Sequence, residues 1–235
     1  MSDGRKVKQA YNNPWYALMT LYGEQTGEDV DEELHAKNRA AWNAWSCQAM
    51  TEGERVRAAD FLGVTLAELS AWADIKAEVE RQFLAKVTAQ WIANYDLPSM
   101  YASTKLIDFS GVTFFRPLVL KSMMFGRPVL FNKVSFKSWF DAERSVFKYG
   151  VGVNYSQFEG DAWLAQSAFQ SGAKFNGTTF HKSVWLSHAI LQGGVSFGDS
   201  VFFRGSLVRK CEVPRATQFF RRKIQQTCAF RKCEV

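Results

Sequence analysis

The residues of this sequence that could support catalysis or bind a metal are few, and their spacing favours neither role. The three histidines (His35, His181 and His188) lack the spacing of metal ligands, and no HExxH, GxSxG or glycine-rich phosphate-binding motif occurs. Asp141 and Glu143 could act as a general acid and base, but such a pair is more typical of a solvated corner. We therefore expect a protein that is not an enzyme and has no cofactor and no metal site.

Four cysteines are present, namely Cys47, Cys211, Cys228 and Cys233. None is paired with another in CxxC spacing, which argues against a zinc cage. The N-terminus has no apolar leader, and no apolar run reaches the ~18 residues of a membrane-spanning helix. Without a signal peptide, a disulfide framework is not expected either. The sequence thus predicts a cytoplasmic protein with no transmembrane segment.

Charge and aromatic content divide the chain into two parts. Residues 1–104 contain 10 basic and 15 acidic residues, whereas residues 105–235 contain 19 basic and 8 acidic residues, a net charge of +11. Of the 20 phenylalanines, 18 lie in the second part. This asymmetry indicates two domains, which we assign as an α-helical module over residues 1–104 and a repeat domain over residues 105–235.

Capping residues and apolar spacing predict five helices in the first part of the chain. They run from Pro14 to Gly23, from about Glu28 to Trp45, from Thr51 to Leu62, from Thr65 to Trp72 and from Ile75 to Tyr95. The third and fourth have the spacing of a DNA-binding helix-turn-helix. Residues 65–73 contain no Arg, Lys, Asn or Gln that could reach a base edge, so we interpret this segment as a plain helical corner.

The second part of the chain follows an eleven-residue repeat, in which apolar residues recur at alternating steps of five and six. One register is Phe109, Leu120, Phe131, Ala142, Val153, Leu164, Phe175, Leu186, Phe197, Val208, Phe219 and Phe230. The other is Phe114, Phe125, Phe136, Phe147, Phe158, Phe169, Phe180, Leu191, Phe202, Val213, Ile224 and Val235. The chance that all these positions are apolar is on the order of one in a hundred million. Steps this short exclude a helical repeat and predict strands of two or three residues.

The composition of the two registers predicts four strands to each coil of 22 residues. Positions 22 residues apart form columns. The columns that begin at Phe109 and at Phe114 are rich in Phe, whereas the column that begins at Leu120 is aliphatic. A coil of eleven residues would not produce this contrast. The residue two positions before each inward residue is mostly small or β-branched. Side chains at i and i−2 point to the same side of a strand, so a large and a small residue together fill each inward site. At Phe140 and Ala142 the order is reversed: the large residue takes the small position and the small residue takes the large one, which roughly conserves the total side-chain volume.

Residues 109–114 (Phe-Ser-Gly-Val-Thr-Phe) and 175–180 (Phe-Asn-Gly-Thr-Thr-Phe) resemble the pentapeptide-repeat family in its variant with a central Phe. The resemblance covers about residues 105–235 and implies a right-handed quadrilateral β-helix, although every second corner has one residue more than the regular pattern. The expected fold class is α+β, with an N-terminal α-helical module followed by a right-handed quadrilateral β-helix (β-solenoid) of about six coils. Helices beside Phe-rich repeats are also similar to bacterial pentapeptide-repeat proteins of unassigned function.

Two neighbouring outward columns of this solenoid are largely apolar, and such surface is usually covered by the protein's own helices or by a partner. They are Val119, Asp141, Trp163, Trp185 and Leu207, and Met124, Val146, Ala168 and Ile190. The leading hypothesis is a non-enzymatic scaffold for protein–protein binding. We expect its unknown protein partner to contact Trp163, Trp185, Leu207, Phe230 and Val235. Since Val235 is itself an inward position, we also expect a homodimer through the C-terminal coil or a longer chain.

The alternative hypothesis is that the basic C-terminal end binds nucleic acid or an anionic membrane surface. The residues concerned are Arg209, Lys210, Arg221, Arg222, Lys223, Arg231 and Lys232. Members of the pentapeptide-repeat family that modulate DNA topoisomerases act as acidic DNA mimics, and the positive charge here argues against that role. We favour the protein partner over nucleic acid.

Overall fold

The computed structural model describes residues 8–89 and 106–203 of the chain. The first stretch contains five helices, α1 (Pro14–Met19), α2 (Glu32–Ser46), α3 (Glu52–Leu62), α4 (Leu66–Ser70) and α5 (Trp72–Ala89). The predicted helices are confirmed, with shifted ends. Helix α2 begins later than predicted because the Asp31 side chain accepts the N–H of Leu34 and serves as the N-cap. The predicted end of α5 at Tyr95 lies outside the described residues.

Side-chain caps fix the starts of α1, α3 and α4 as the sequence predicts. Asn13 Oδ1 accepts the backbone N–H of Trp15 (2.9 Å). Pro14 occupies the first helical position, where a backbone N–H has no partner within the helix, so proline costs no hydrogen bond there. Thr51 and Glu54 form a reciprocal capping box at α3. These local bonds explain why helix positions could be predicted from short motifs.

From Ile107 onward, short parallel strands form the four walls of a β-solenoid. Sheet A consists of β1 (Lys8–Gln9), β3 (Val112–Phe114), β7 (Ser135–Phe136), β11 (Gln157–Phe158), β15 (Thr179–Phe180) and β19 (Val201–Phe202). Sheet B consists of β2 (Ile107–Asp108), β6 (Val129–Leu130), β10 (Val151–Gly152), β14 (Ala173–Lys174) and β18 (Val195–Ser196). Sheet C consists of β4 (Leu118–Val119), β8 (Phe140–Asp141), β12 (Ala162–Trp163) and β16 (Val184–Trp185). Sheet D consists of β5 (Met124–Phe125), β9 (Val146–Phe147), β13 (Ala168–Phe169) and β17 (Ile190–Leu191).

The chain passes through the walls in the order B, A, C, D, and each coil adds one strand to each wall. Paired residues on neighbouring coils differ by 22 in number, as in Val129 with Val151 and Trp163 with Trp185. The predicted 22-residue coil is therefore confirmed. The described strands make roughly four coils. The expected total of about six coils also depends on residues 204–235, which lie outside the described residues.

The five-residue corners are tight turns with one residue in the left-handed backbone conformation. At one of them the N–H of Thr178 donates to the C=O of Phe175 (3.1 Å). Gly177, the second of the two residues between them, has a φ of 65°. This is the pattern of a type II turn. The left-handed residue recurs every eleven positions, at Gly111, Ser122, Lys133, Arg144, Tyr155, Gln166, Gly177, His188 and Asp199. Within residues 106–203 this turn lies at the corners from sheet B to A and from C to D, which are one residue shorter than the other corners.

Stacked phenylalanines fill the interior of the solenoid. The rings of Phe136, Phe158 and Phe180 lie face to face, with centroid separations of 4.4 and 4.9 Å. This spacing follows the ~4.8 Å distance between hydrogen-bonded strands, so backbone pairing places each ring on the ring of the coil before it. Phe140 and Ala142 are both buried, and the Phe140 ring lies edge-on to Phe136 (5.2 Å), which confirms their exchanged sizes.

Hydroxyl groups at four small inward positions bond the backbone of the preceding coil. Ser145 Oγ donates to the C=O of Leu120 (2.6 Å). Ser156, Thr178 and Ser200 donate in the same way to the carbonyls 25 residues earlier. Leaving a buried hydroxyl unpaired costs about 1–3 kcal/mol, so these bonds make a small polar residue acceptable inside the rod. The repeat pattern predicts the small size of these residues but not their hydrogen bonds.

In the described part of the chain no coil lies below the first one, and residues 8–46 bond the backbone groups at that edge. Strand β1 pairs in parallel with β3 and so extends sheet A. Asn13 Nδ2 donates to the C=O of Asp108 at the edge of sheet B (2.8 Å). His35 Nε2 donates to the C=O of Lys121 in the turn that follows sheet C (2.9 Å). Strand β1 was not predicted, because two residues are too few to show a periodicity.

Helix α2 bonds the edge of sheet D with side chains in place of a strand. Asn43 Oδ1 accepts the N–H of Met124 (2.8 Å), and Asn43 Nδ2 donates to the C=O of Ser122 (3.0 Å). Trp42 Nε1 donates to the C=O of Met124 (2.9 Å). The amide of Asn43 thus bonds β5 as a peptide group of a preceding coil would. The N-terminal helices therefore cap the solenoid and share its hydrophobic core.

We expect Asn43→Ala to destabilise the protein by about 3 kcal/mol, because the buried N–H of Met124 and C=O of Ser122 lose their partner. Urea unfolding followed by circular dichroism measures this change. Asn12→Ala is the matched control, since Asn12 is exposed, and it should change stability by less than about 0.5 kcal/mol. Equal effects of the two substitutions would contradict the capping role.

We expect Phe180→Ala to destabilise the protein by about 3–5 kcal/mol, because it leaves a cavity between the rings of Phe158 and Phe202. Phe203, 45% exposed beyond the last described strand, serves as the control position. A loss below about 1 kcal/mol for Phe180→Ala would show that the inward column is not tightly packed.

Candidate functional site

The two sequence-predicted binding residues that lie in the described stretches, Trp163 and Trp185, are neighbours on the outer side of sheet C. They are the second residues of β12 and β16 and are paired in register. The residue before each of them, Ala162 or Val184, is fully buried in the rod. Alternation along the strand therefore turns both indole rings outward, where each is partly buried.

A third indole extends this surface. Trp139 lies at the corner before β8, and its ring meets Trp163 edge-on, with 5.8 Å between centroids and an interplanar angle of 78°. We call Trp139, Trp163 and Trp185 the tryptophan face. Trp139 was not predicted as part of this surface, since it lies at a corner and outside the outward columns.

The beginning of the same outward column is covered. Val119 and Asp141, in the two preceding coils, are 7% and 8% exposed, whereas both tryptophans remain partly exposed. Asp141 is close enough to Glu32 of helix α2 for an electrostatic effect. The helices therefore cover this wall near the cap and leave the tryptophan face accessible.

The expectation that Asp141 lies at a solvated corner is wrong. Its carboxylate belongs to strand β8 and accepts the N–H of Glu143 (2.8 Å). The pKa of Asp141 is raised to about 6, chiefly by burial. The backbone bond from Glu143 opposes this rise, the charge of Glu143 adds to it, and Lys121 opposes it. This backbone hydrogen bond joins Asp141 to Glu143, whose side chain is partly exposed. The helices that bury Asp141 are distant in sequence, so local pattern could not show this.

The neighbouring apolar column, on sheet D, is covered by the protein's own helices. Met124, Val146 and Ala168 are buried against residues of α3, including Ala58 and Leu62. This outcome agrees with the simpler of the two interpretations that the sequence left open for the apolar columns. Only Ile190, the last described member of the column, is exposed.

Arg144 fixes the end of α3 on the solenoid. Its Nη2 donates to the C=O of Phe61 (3.4 Å). The guanidinium lies so close to Gly63 that a Cβ there would come within 2.7 Å of Nη2. Gly63 also has a φ of 68°, so both backbone conformation and space favour glycine. The segment α3–Gly63–α4 thus forms a helical corner that packs on the rod.

Cys47 is buried beneath the same helices, and burial raises the pKa of its thiol to about 12, so the group stays protonated at neutral pH. Within residues 8–89 and 106–203, no group of three or more His, Cys, Asp or Glu side chains could hold a metal ion. No helix in those two stretches is long and apolar enough to span a membrane.

The remaining predicted site residues lie outside the described residues. These are the partner-binding candidates Leu207, Phe230 and Val235 and the anion-binding candidates Arg209, Lys210, Arg221, Arg222, Lys223, Arg231 and Lys232. The expected homodimer through the C-terminal coil concerns the same segment. These hypotheses stay predictions.

Comparison with known families identifies the repeat. Residues 154–201 match the model for pentapeptide repeats, with nine copies. Searches of curated proteins and of solved structures give no match. Together with the parallel β-solenoid, the match confirms the resemblance to the pentapeptide-repeat family that the sequence indicated.

We expect Asp141→Asn to raise stability at pH 7 by on the order of 2 kcal/mol. The folded-state pKa of Asp141, about 6, lies above its ordinary value, so the folded protein binds the proton more tightly than the unfolded chain. The resulting stabilisation is present below the unfolded pKa and is lost as the pH rises through 6. The advantage of the variant should therefore shrink from pH 7 towards pH 4 in urea unfolding experiments.

Asp161→Asn provides the control for this experiment. Asp161 is partly exposed and accepts the N–H of Ser183 (3.0 Å), so it has the same kind of backbone bond without the burial. Its substitution should not raise stability at pH 7. Parallel pH profiles for wild type and Asp141→Asn would contradict the burial of the charged carboxylate.

Proposed function

We propose that this pentapeptide-repeat solenoid is a non-enzymatic interaction scaffold that binds a protein partner through the tryptophan face. The observation that carries the proposal is the in-register pair of partly exposed indoles on adjacent coils, Trp163 and Trp185. Tryptophan is enriched among the residues that dominate the free energy of protein–protein binding. A surface with three indoles in a row supports such a role.

The rigidity of the rod adds to this argument. Trp163 is held by backbone pairing to Asp141 on one side and to Trp185 on the other. Little conformational entropy is therefore lost when a partner orders this surface, and less of the interaction free energy is offset. The adjacent residues Asp161 and Ser183 supply polar groups at the edge of the face, as in a typical interface rim.

A scaffold is also consistent with the fold. Pentapeptide-repeat solenoids are generally structural rather than catalytic. In the described residues, the inward side chains fill the interior with stacked rings, so the rod offers its partners outer walls and corners and no internal chamber. We therefore place the function on the surface.

The alternative function, binding of an anionic polymer or membrane surface, rests on the sequence of residues 204–235, which contain nine of the basic residues. Contacts with phosphate groups weaken steeply as salt rises, whereas burial of indoles does not. Salt dependence therefore separates the two functions.

We expect capture of partners from a cell extract to depend on the tryptophan face. The full chain, a Trp163→Ser/Trp185→Ser double variant and a Tyr155→Ser control serve as baits, since Tyr155 is 67% exposed at a B-to-A turn. We look for a protein that wild type and the control capture but the double variant does not. Once purified, this protein should bind the double variant at least about 30-fold more weakly than wild type in calorimetry.

Two results would contradict this function. One is equal binding of the purified partner to wild type and to a double variant whose circular dichroism spectrum is unchanged. The other is capture of nucleic acid or anionic vesicles that is lost at about 0.5 M salt, which would support the alternative.

A further inference from the structure

A cavity of about 310 Å³ lies between helix α3 and the outer side of sheet D, on a different wall from the tryptophan face. This volume is at the lower end of the range for small-molecule sites, which is roughly 300–1,000 Å³. Apolar side chains form much of its lining, namely Met50, Ala58, Phe61, Met124, Val146, Ala168 and Ile190. The interior of the cavity therefore favours an apolar ligand.

Short side chains keep this space open. Ala58 of α3 and Ala168 of β13 both line the cavity, and neither side chain extends beyond Cβ. Further along the same column, Ile190 is 37% exposed and continues the apolar floor towards solvent. The helix and the sheet thus enclose an apolar space that opens to the surface.

Three charged side chains line the cavity, and two of them neutralise each other. Lys148 Nζ lies 3.1 Å from Glu54 Oε1. Glu54 also accepts the backbone N–H of Thr51 (2.9 Å) at the start of α3, and that bond, with the one from Lys148, lowers the pKa of Glu54 to about 2. The carboxylate is therefore fully engaged by this chain.

Arg57 differs from this pair. It lines the cavity, and its side chain forms no hydrogen bond or ion pair with the described part of the chain. Gln170 and Gln192, one coil apart, also line the cavity and are exposed. An apolar space with one unpaired guanidinium fits a ligand that has an apolar body and one negative group.

We propose that this cavity binds a free medium-chain fatty acid, with its chain against Val146, Ala168 and Ile190 and its carboxylate at Arg57. Burial of the chain supplies most of the affinity, and a charge-assisted pair with the guanidinium fixes the orientation. A protein C-terminus fits less well, because the apolar floor of Val146, Ala168 and Ile190 offers no side-chain partners for its buried N–H and C=O groups. A single unpaired cation also gives less complementarity to a phosphate dianion than to a carboxylate.

Isothermal titration calorimetry of the full chain with decanoate, decanol and decyltrimethylammonium tests this proposal. We expect saturable binding of decanoate at one site, binding of decanol about tenfold weaker, and no binding of the cation. Absence of saturable decanoate binding below about 1 mM would overturn the proposal. So would equal affinity for the three amphiphiles, which would indicate unspecific apolar adsorption.

Three variants locate the site. Arg57→Gln should weaken decanoate binding about tenfold and leave decanol binding unchanged, whereas Ala168→Phe should remove both by filling the cavity. Lys174→Gln, an exposed cation on sheet B, is the control and should have no effect. Arg57 is exposed, so its substitution keeps the test valid even if Ala168→Phe fails to fold.

Unchanged decanoate affinity in Arg57→Gln would overturn the assignment of the carboxylate. Tighter binding of a peptide that ends in Leu-Val with a free carboxylate would identify a protein terminus as the ligand and overturn the fatty acid. Neither result bears on the tryptophan face, whose test uses different residues on a different wall.

Discussion

Parallel backbone pairing between coils, at a fixed separation of 22 residues, is the constraint on which the rest of this structure depends. Most strands contain only two residues, and such strands have no stability alone. Each holds its place because the neighbouring coils bond it and because its inward side chain, in most columns a phenylalanine ring, packs on that of the coil beneath. The same pairing places Trp185 over Trp163 and aligns the serine hydroxyls with the carbonyls of the preceding coil.

The backbone groups at the first edge of the solenoid also need hydrogen-bond partners. The N-terminal segment supplies these partners in two different ways. Strand β1 continues sheet A with backbone, whereas Asn43 replaces a peptide group with a side-chain amide. Helix α3, which follows the helix that carries Asn43, covers sheet D. Capping and coverage together explain why one outer wall is buried, why the tryptophan face is not, and why a cavity remains where α3 meets Ala168.

The sequence predicts what is periodic or local in this fold and misses what depends on distant contacts. The inward columns follow from spacing, and even the exchange between Phe140 and Ala142 follows from volume. The start of α3 follows from Thr51 and Glu54, which are three residues apart. By contrast, the burial of Asp141 and the bonds of Asn43 join residues about 80 or more positions apart, so no local pattern indicates them. The cavity is a product of the same long-range packing.

The bonds between cap and solenoid also bear on the order in which the chain folds. Contacts within the rod close loops of 22 residues, whereas the bonds from Asn13, His35 and Asn43 close loops of 79 to 95 residues. Loop-closure entropy makes the longer loops more costly by about 1 kcal/mol, and contacts of high sequence separation form slowly. Neighbouring coils can therefore associate before the helices dock. We therefore expect the cap to act late, by supplying partners to the first edge of a stack of coils that has already formed.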